Sequence, residues 1–256
     1  NLDEAVNKFN YTRIASKKRS YAIIPCVDIE FFRETMEGAA DAAKKLGVDL
    51  IWRAPEKYDS GLQAKLIDEV VEMGVSGIGI GPNDGPEVRE SLKRAMDRGI
   101  RVVCFDTDIP DIGRDAFIGT DNFSAGKMFG ELVAKKLNYK GRVIGTRTKK
   151  QTLNQKERFD GFIEAIKKYP EIELVEIHES EEKNGEKRWQ EVKAFIQRVK
   201  DFDCFICMDS FGSYIAGKIK EELGITPICV VFDKTGYSEK PVRDGYTTVI
   251  AQRPRL

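Results

Sequence analysis

Histidine is nearly missing: His178 is the only one in 256 residues. Zinc centres draw on sets of His and Cys ligands, and with no second histidine and no fitting cysteine set none is expected. A Ser-His-Asp triad would have to use His178, yet the Gly-x-Ser-x-Gly elbow is also missing. His178 therefore reads as a surface histidine. No Gly-x4-Gly-Lys-Ser/Thr phosphate loop occurs; Gly126-Lys127 is followed by Met128 and lacks the upstream glycine. Gly77, Gly79 and Gly81 lie within a β-rich run, not between a strand and a helix. They read as close packing or strand-end bends instead of a dinucleotide fingerprint. No cofactor is expected, and enzyme readings lose their usual supports.

Charge of one sign is not in excess either. Lys+Arg and Asp+Glu each total 42, a formal net charge of zero, which argues against a nucleic-acid surface, since displacing counterions from phosphates needs a basic excess. No apolar run approaches the roughly 20 residues of a membrane helix. Asn1 to Ser20 has no apolar core of the signal-peptide kind, as a mature or trimmed chain also would not. The five cysteines (Cys26, Cys104, Cys204, Cys207, Cys229) are an odd number in a chain too large to need stapling. Cys204-Phe-Ile-Cys207 has CxxC spacing, but in a strand positions i and i+3 face opposite sides. All five read as buried small hydrophobes.

What is present is an alternation of short β-rich runs with helical periodicity. Tyr-Ala-Ile-Ile at 21–24 leads to Phe32, Met36, Ala39, Ala43 and Leu46 on one helical face. Val-Asp-Leu-Ile-Trp at 48–52 is followed by Leu62, Leu66, Val70 and Met73, and Gly-Ile-Gly-Ile-Gly at 77–81 by Val88, Leu92 and Ala95. Arg-Val-Val-Cys-Phe at 101–105 closes this series. The spacing marks βαβ units and a mostly parallel sheet. Asp59-Ser60 can cap a helix, Pro86 suits a first turn, and Gly47, Gly74 and Gly99 fall just past helices. A second series follows, with β-runs at 142–146, 173–177, 204–208, 228–232 and 247–251. Two consecutive series imply two similar α/β lobes, each a doubly wound parallel sheet. Residues 1–20 stand outside this plan; Leu2, Val6 and Phe9 suggest a short helix or linker. Lys17-Lys18-Arg19 reads as a solvated stretch, and Glu179 to Lys187 as a charged surface loop.

In doubly wound folds ligands bind beyond the carboxyl ends of parallel strands. That edge gives a coherent set here: Asp106-Thr107-Asp108, Met208-Asp209-Ser210, Asp233-Lys234 and Gln252. Asn154 and Arg158 follow the run 143–146, and Phe31-Phe32 follow the first. Phe32 fits the core stripe, which leaves Phe31 for ligand. The mixture suits a polyhydroxylated molecule: carboxylates accept from hydroxyls, arginine and amides donate, and an aromatic ring covers a C–H face. Three carboxylates against one arginine argue against an anionic ligand, though not against a cationic one. Each residue has a plainer reading. Asp106, Asp209 and Asp233 could cap helices, Arg158 could pair with Glu157 or Asp160, and Gln252 could be strand surface.

From about Tyr21 to Pro254 the chain resembles the ribose-type periplasmic binding proteins of bacterial ABC importers. The resemblance rests on an ordered set of motifs: Phe31-Phe32 with Gly38-Ala39, Gly81-Pro-Asn-Asp84 and Val103-Cys-Phe-Asp-Thr-Asp108. Gly119-Thr-Asp-Asn122, Leu153-Asn154, Arg158-Phe-Asp-Gly-Phe162, Val230-Val-Phe-Asp233 and Ala251-Gln252 complete it. It implies a type I periplasmic binding fold with lobes at 21–121 and 122–251, the first re-entered after 252. Ligand would lie in an inter-lobe cleft, touched by Asp106, Thr107, Asn154, Arg158, Asp209, Asp233 and Gln252 and stacked by Phe31, with hinge crossovers at Asp121-Asn122. Thr107 stands where ribose-binding members carry arginine, which argues against ribose itself. The implied activity is capture, without turnover, of a sugar or polyol by a monomeric, extracytoplasmic or membrane-anchored receptor. Its partner would be an ABC transporter permease. The alternative is a sensing module for a membrane histidine kinase or a LacI-type regulator, and an α/β enzyme is the third reading.

Overall fold

The computed structural model describes residues 18–182 and 185–250. The expected N-terminal helix or linker therefore lies, up to residue 17, outside the described residues, as do Lys183, Asn184, Ala251 and Gln252. The chain divides into two units. One runs to Phe105 and includes Ile109–Phe117; the other runs from Ile118 and takes in the short stretch Asp106–Asp108.

In the first unit the β-rich runs become β1 (Ser20–Ile24), β2 (Asp49–Trp52), β3 (Gly77–Ile80), β4 (Arg101–Phe105) and the edge strand β5 (Ala116–Ile118), in the order β2-β1-β3-β4-β5. The first four pair in parallel. Helices α1 (Arg33–Leu46), α2 (Ser60–Glu72) and α3 (Pro86–Asp97) connect them. Asp59 caps α2 by accepting from the Leu62 N–H at 2.9 Å, and Pro86 opens α3, whose missing N–H would have had no helical partner. One face of the sheet is sealed: Ala22, Ile24, Ile78, Ile80, Val102 and Cys104 pack with residues of α2 and α3.

The opposite face differs from the expected helical stripe. Of Met36, Ala39, Ala43 and Leu46 only Ala43 is buried, and Leu46 is 74% exposed. The reason is placement: the principal sheet partner of α1 is the edge strand β2, so most of the stripe has no strand beneath it. Phe32 belongs to a separate small cluster with Cys26 and Val27, against which Trp52 and Phe105 pack.

In the second unit β6 (Gly141–Thr148), β7 (Ile172–Ser180), β8 (Cys204–Cys207), β9 (Ile228–Phe232) and β10 (Thr247–Ile250) form a parallel sheet ordered β10-β9-β8-β6-β7. Helices α4 (Asn122–Lys136) and α5 (Leu153–Ile166) cover one face, and α6 (Gly185–Val199) and α7 (Gly212–Leu223) the other; a short α8 (Glu239–Arg243) precedes β10. Both faces of β8 are buried, as its unbroken run Cys-Phe-Ile-Cys requires. Cys204 packs in the cluster on the α4–α5 side and Cys207 in the one on the α6–α7 side. All five cysteines are buried and none forms a disulfide.

Two expectations are revised here. The charged stretch from Glu179 is not one loop: β7 extends to Ser180 and α6 begins at Gly185. Nor is His178 a solvated surface residue, for its ring stacks on Phe195 at 5.3 Å and its Nε2 lies 3.5 Å from a Glu191 carboxylate oxygen.

Candidate functional site

Two aspartates leave their strands in the same manner. Asp106 follows β4 and Asp233 follows β9, each directly after a phenylalanine, with φ of 62° and 63°. Left-handed backbone is uncommon outside glycine and is tolerated by Asp because its short side chain can bond locally. Each instance costs about 1–3 kcal/mol, and such residues concentrate at binding sites. Neither aspartate caps a helix. The turn after Asp106 starts at Pro110 with Ile109 in the N-cap position, and Ser238 takes that position for α8.

Helix α5 brings two polar side chains to these carboxylates. Thr152 and Gln155 form a capping box at its start, which fixes the first turn. Asn154 and Arg158 then lie one turn apart on the same face, and both are buried. The Asn154 amide donates to the Asp106 backbone carbonyl at 3.4 Å and to its carboxylate at 3.5 Å, while its own oxygen accepts from the Gln155 N–H at 2.8 Å. The Arg158 guanidinium lies over the Phe232 ring, 4.6 Å from its centroid. Its Nε donates to Asn122 Oδ1 at 2.8 Å and its Nη1 to the Met208 carbonyl at 3.3 Å; Asp233 Oδ2 lies 3.8 Å from Nη1. This buried arginine does not make the surface pair with Glu157 or Asp160 that its neighbours allow.

Burial raises both carboxyls. Asp106 is pushed up from 3.8 to about 6 by loss of solvent, with Arg158 opposing and Asp233 reinforcing the rise. Asp233 is shifted upward for the same reason, again against Arg158 and with Asp209 as the like charge. The charged forms are desolvated more than one guanidinium compensates.

Asp209 has a different environment. Arg188 Nη1 and Nη2 donate to its two carboxylate oxygens at 3.2 and 2.8 Å. The Cys207 thiol and the Phe211 N–H reach the same Oδ1 at 3.4 and 3.1 Å. These bonds hold the start of α7 and neutralise Arg188. A shallow, open depression adjoins it, lined by Arg147, Gln151, Gln155, Phe159 and Met208 among others.

Thr107 is buried beside Asp106 in sequence. Asp121 caps α4, accepting from the Ser124 N–H at 2.9 Å and from its hydroxyl at 2.7 Å. Asn122, expected at a crossover, is buried as the first residue of α4 and donates to the Thr120 carbonyl at 3.0 Å while holding Arg158. In the first unit Phe31 is 40% exposed, with Phe32 edge-on behind it at 5.0 Å. Gln252 lies outside the described residues. Among the described residues no group of three or more His, Cys, Asp or Glu side chains is arranged to hold a metal ion.

A family model described as "periplasmic binding protein domain" matches residues 21–256. The chain belongs to the periplasmic binding protein family. It is a family of solute-binding proteins, not of enzymes. Among curated relatives of this binding protein, a D-ribose/D-allose-binding protein of Pseudomonas aeruginosa is 28% identical over 160 residues, 59% of this chain and 50% of the relative. The match thus spans about half the length of that relative. The ribose import binding protein of Salmonella typhimurium is 25% identical over 234 residues, 91% of this chain and 78% of the relative. Among solved structures, an ABC transporter solute-binding protein of Burkholderia graminis in complex with D-arabinose superposes with a TM-score of 0.86 at 29% identity, covering 92% of this chain and 83% of that one. The two parallel five-stranded sheets with flanking helices are the type I periplasmic binding fold.

Two buried polar residues, one in each unit, escape a reading of the sequence. Arg188 sits in a run of charged residues at 186–188, where nothing distinguishes it from solvated neighbours, yet it is fully buried. Gln63, in the first unit, is also fully buried: its amide nitrogen donates to the carbonyls of Pro25 and Gly81 at 3.0 and 2.9 Å, and its oxygen accepts from the Asn83 N–H at 2.7 Å. It ties the loops after β1 and β3 together. The only signal was a polar residue beside the apolar stripe of α2.

Proposed function

We propose that this binding protein captures a sugar or related polyol for ABC-type import, with Asp106, Asn154, Arg158 and Asp233 as the principal polar contacts. The observation that supports it most is the gathering of a half-buried and a buried carboxylate, a buried carboxamide and a buried guanidinium within one unit, at two left-handed strand ends. Carboxylates accept from neighbouring hydroxyls and the amide and guanidinium donate to hydroxyl oxygens, so a polyol is met on both counts. The names of the relatives, which bind ribose, allose or arabinose, point the same way. Phe31 is proposed to stack on the ligand, and Thr107 and Gln252 to complete the contacts. Membership of the family implies a periplasmic place of action; anchoring to a membrane is part of the proposal. Thermal-shift screening against monosaccharides, polyols and cyclitols tests it, because a ligand that binds only the folded state raises the midpoint. The expected result is a saturable binder recovered chemically unchanged; no binder across the screen, or conversion of the bound compound, would overturn the proposal.

A second reading is docking on a partner protein for sensing. A chain of a XylFII-LytSN complex superposes with a TM-score of 0.80 at 25% identity, covering 93% of this chain and 88% of that one. Transport and sensing share the same capture step and differ in what reads the ligand-bound form.

A further inference from the structure

Charge does not balance among the buried groups around Asp106. Asp209 and Arg188 neutralise each other through two direct hydrogen bonds, which leaves Asp106 and Asp233 facing Arg158 alone. That guanidinium is held elsewhere as well: it donates to Asn122 and to the Met208 carbonyl, and its approach to Asp233 is 3.8 Å, beyond hydrogen-bond length. Asp233 is the sharper case. The residue is 9% exposed, and among the described residues no donor makes a hydrogen bond to its carboxylate. A largely buried carboxylate with no protein donor depends on the little solvent that reaches it, or on a ligand, to supply one.

The surroundings add negative charge. Glu157, on α5 beside Arg158, is shifted upward by burial and by Asp121, Asp108 and Asp160. On the neighbouring strand end, Arg147 pairs with Glu179 and Lys149 with Glu181. Lys234, next to Asp233 in sequence, is exposed.

We infer that the ligand of this site carries a positive charge, as a polyhydroxylated amine such as an amino sugar or aminopolyol in its ammonium form. An ammonium group brings the donors that Asp233 lacks and the charge that Arg158 alone does not supply, and charge-assisted bonds to carboxylate are about twice as strong as neutral ones. The hydroxyls of the same molecule engage Asn154, Arg158 and Asp106. The inference rests on the proposed sugar-binding role and narrows it.

Calorimetric titration at pH 7 with matched pairs tests it: D-glucosamine against D-glucose, D-galactosamine against D-galactose, and 1-amino-1-deoxy-D-sorbitol against D-sorbitol. In the parent protein at least one amine is expected to bind tenfold or more tightly than its hydroxyl counterpart, and Asp233→Asn should erase that advantage. If neutral members bind as tightly as their amines, the charge inference fails while the sugar-binding role stands. If neither these pairs nor the wider polyol screen yields a binder, both fail.

Discussion

Arg188 and Asp209 face each other as a two-point pair, Nη1 to Oδ1 at 3.2 Å and Nη2 to Oδ2 at 2.8 Å, with the arginine side chain wholly removed from solvent. The planar guanidinium matches the carboxylate edge, which a lysine could not do. Burial alone would lower the arginine's affinity for its proton, but the adjacent Asp209 charge drives it upward.

Replacing Arg188 with methionine should destabilise the protein by about 3–5 kcal/mol, because it strands Asp209 as a buried charge. Restoring balance with Asp209→Asn in the same chain should recover part of that loss. Urea denaturation of the two single variants and the double variant measures the coupling. Additive losses would show that the two side chains do not stabilise the unit as a pair.

Arg158→Ala should weaken ligand binding by about 2–5 kcal/mol while the fold persists, since the ligand's hydroxyl oxygens lose their charged donor. Titration with whichever sugar or polyol the screen yields reads the effect, and circular dichroism checks the fold. A variant that binds like the parent would place the site elsewhere.

Ligand affinity should fall as pH drops from 7 to 5. The Asp106 carboxyl titrates near 6 in the folded chain against 3.8 ordinarily, and a ligand that donates to it favours the ionised form. At one pH unit below that value about a tenth of the carboxyl is ionised, so a loss of about tenfold is expected by pH 5. The stability of the ligand-free protein runs in the opposite direction. A raised carboxyl favours folding fully below pH 3.8, and this contribution is lost as pH rises through about 6. Asp233, Arg158 and Asn154 face the same group, so the control is Asp106→Asn. Its affinity profile should be flatter, and an unchanged slope would assign the titration to another group.

Gly126→Ala should cost about 3 kcal/mol. A methyl at Gly126 would sit 2.0 Å from the backbone oxygen of Arg158, and one at Gly161 would sit 2.1 Å from that of Phe123. Neither neighbour is a side chain that can swing aside, so α4 and α5 would have to separate. Thermal and urea midpoints test this; a variant as stable as the parent would mean that the two helices have slack at their crossing.

The alternation of strands and helices was legible because each depends on local periodicity: Gly47, Gly74 and Gly99 all take the left-handed conformation expected past helix ends. The burial of Phe32 and the exposure of Phe31 were legible too, since adjacent helical positions cannot share a face. The uncovered stripe of α1 was not, because periodicity records which residues share a face and not what lies beneath it. Arg188 was hidden for a related reason. Its burial depends on Asp209, 21 residues away, and no local pattern signals a long-range ion pair. Asp106 and Asp233 were legible as candidates from their place after strands. Setting aside helix capping for them needed the helix starts.

Where α4 meets α5 the two backbones touch through Gly126 and Gly161, and Asn122 and Arg158 ride on opposite sides of that contact. A seam made of main chain has no rotamers left to freeze. The conformational entropy of setting Arg158 beside Asp233 is spent when the chain folds, not when a ligand arrives. The arriving molecule meets an Arg158 already set in place, which removes that side chain's share of the ordering cost of capture.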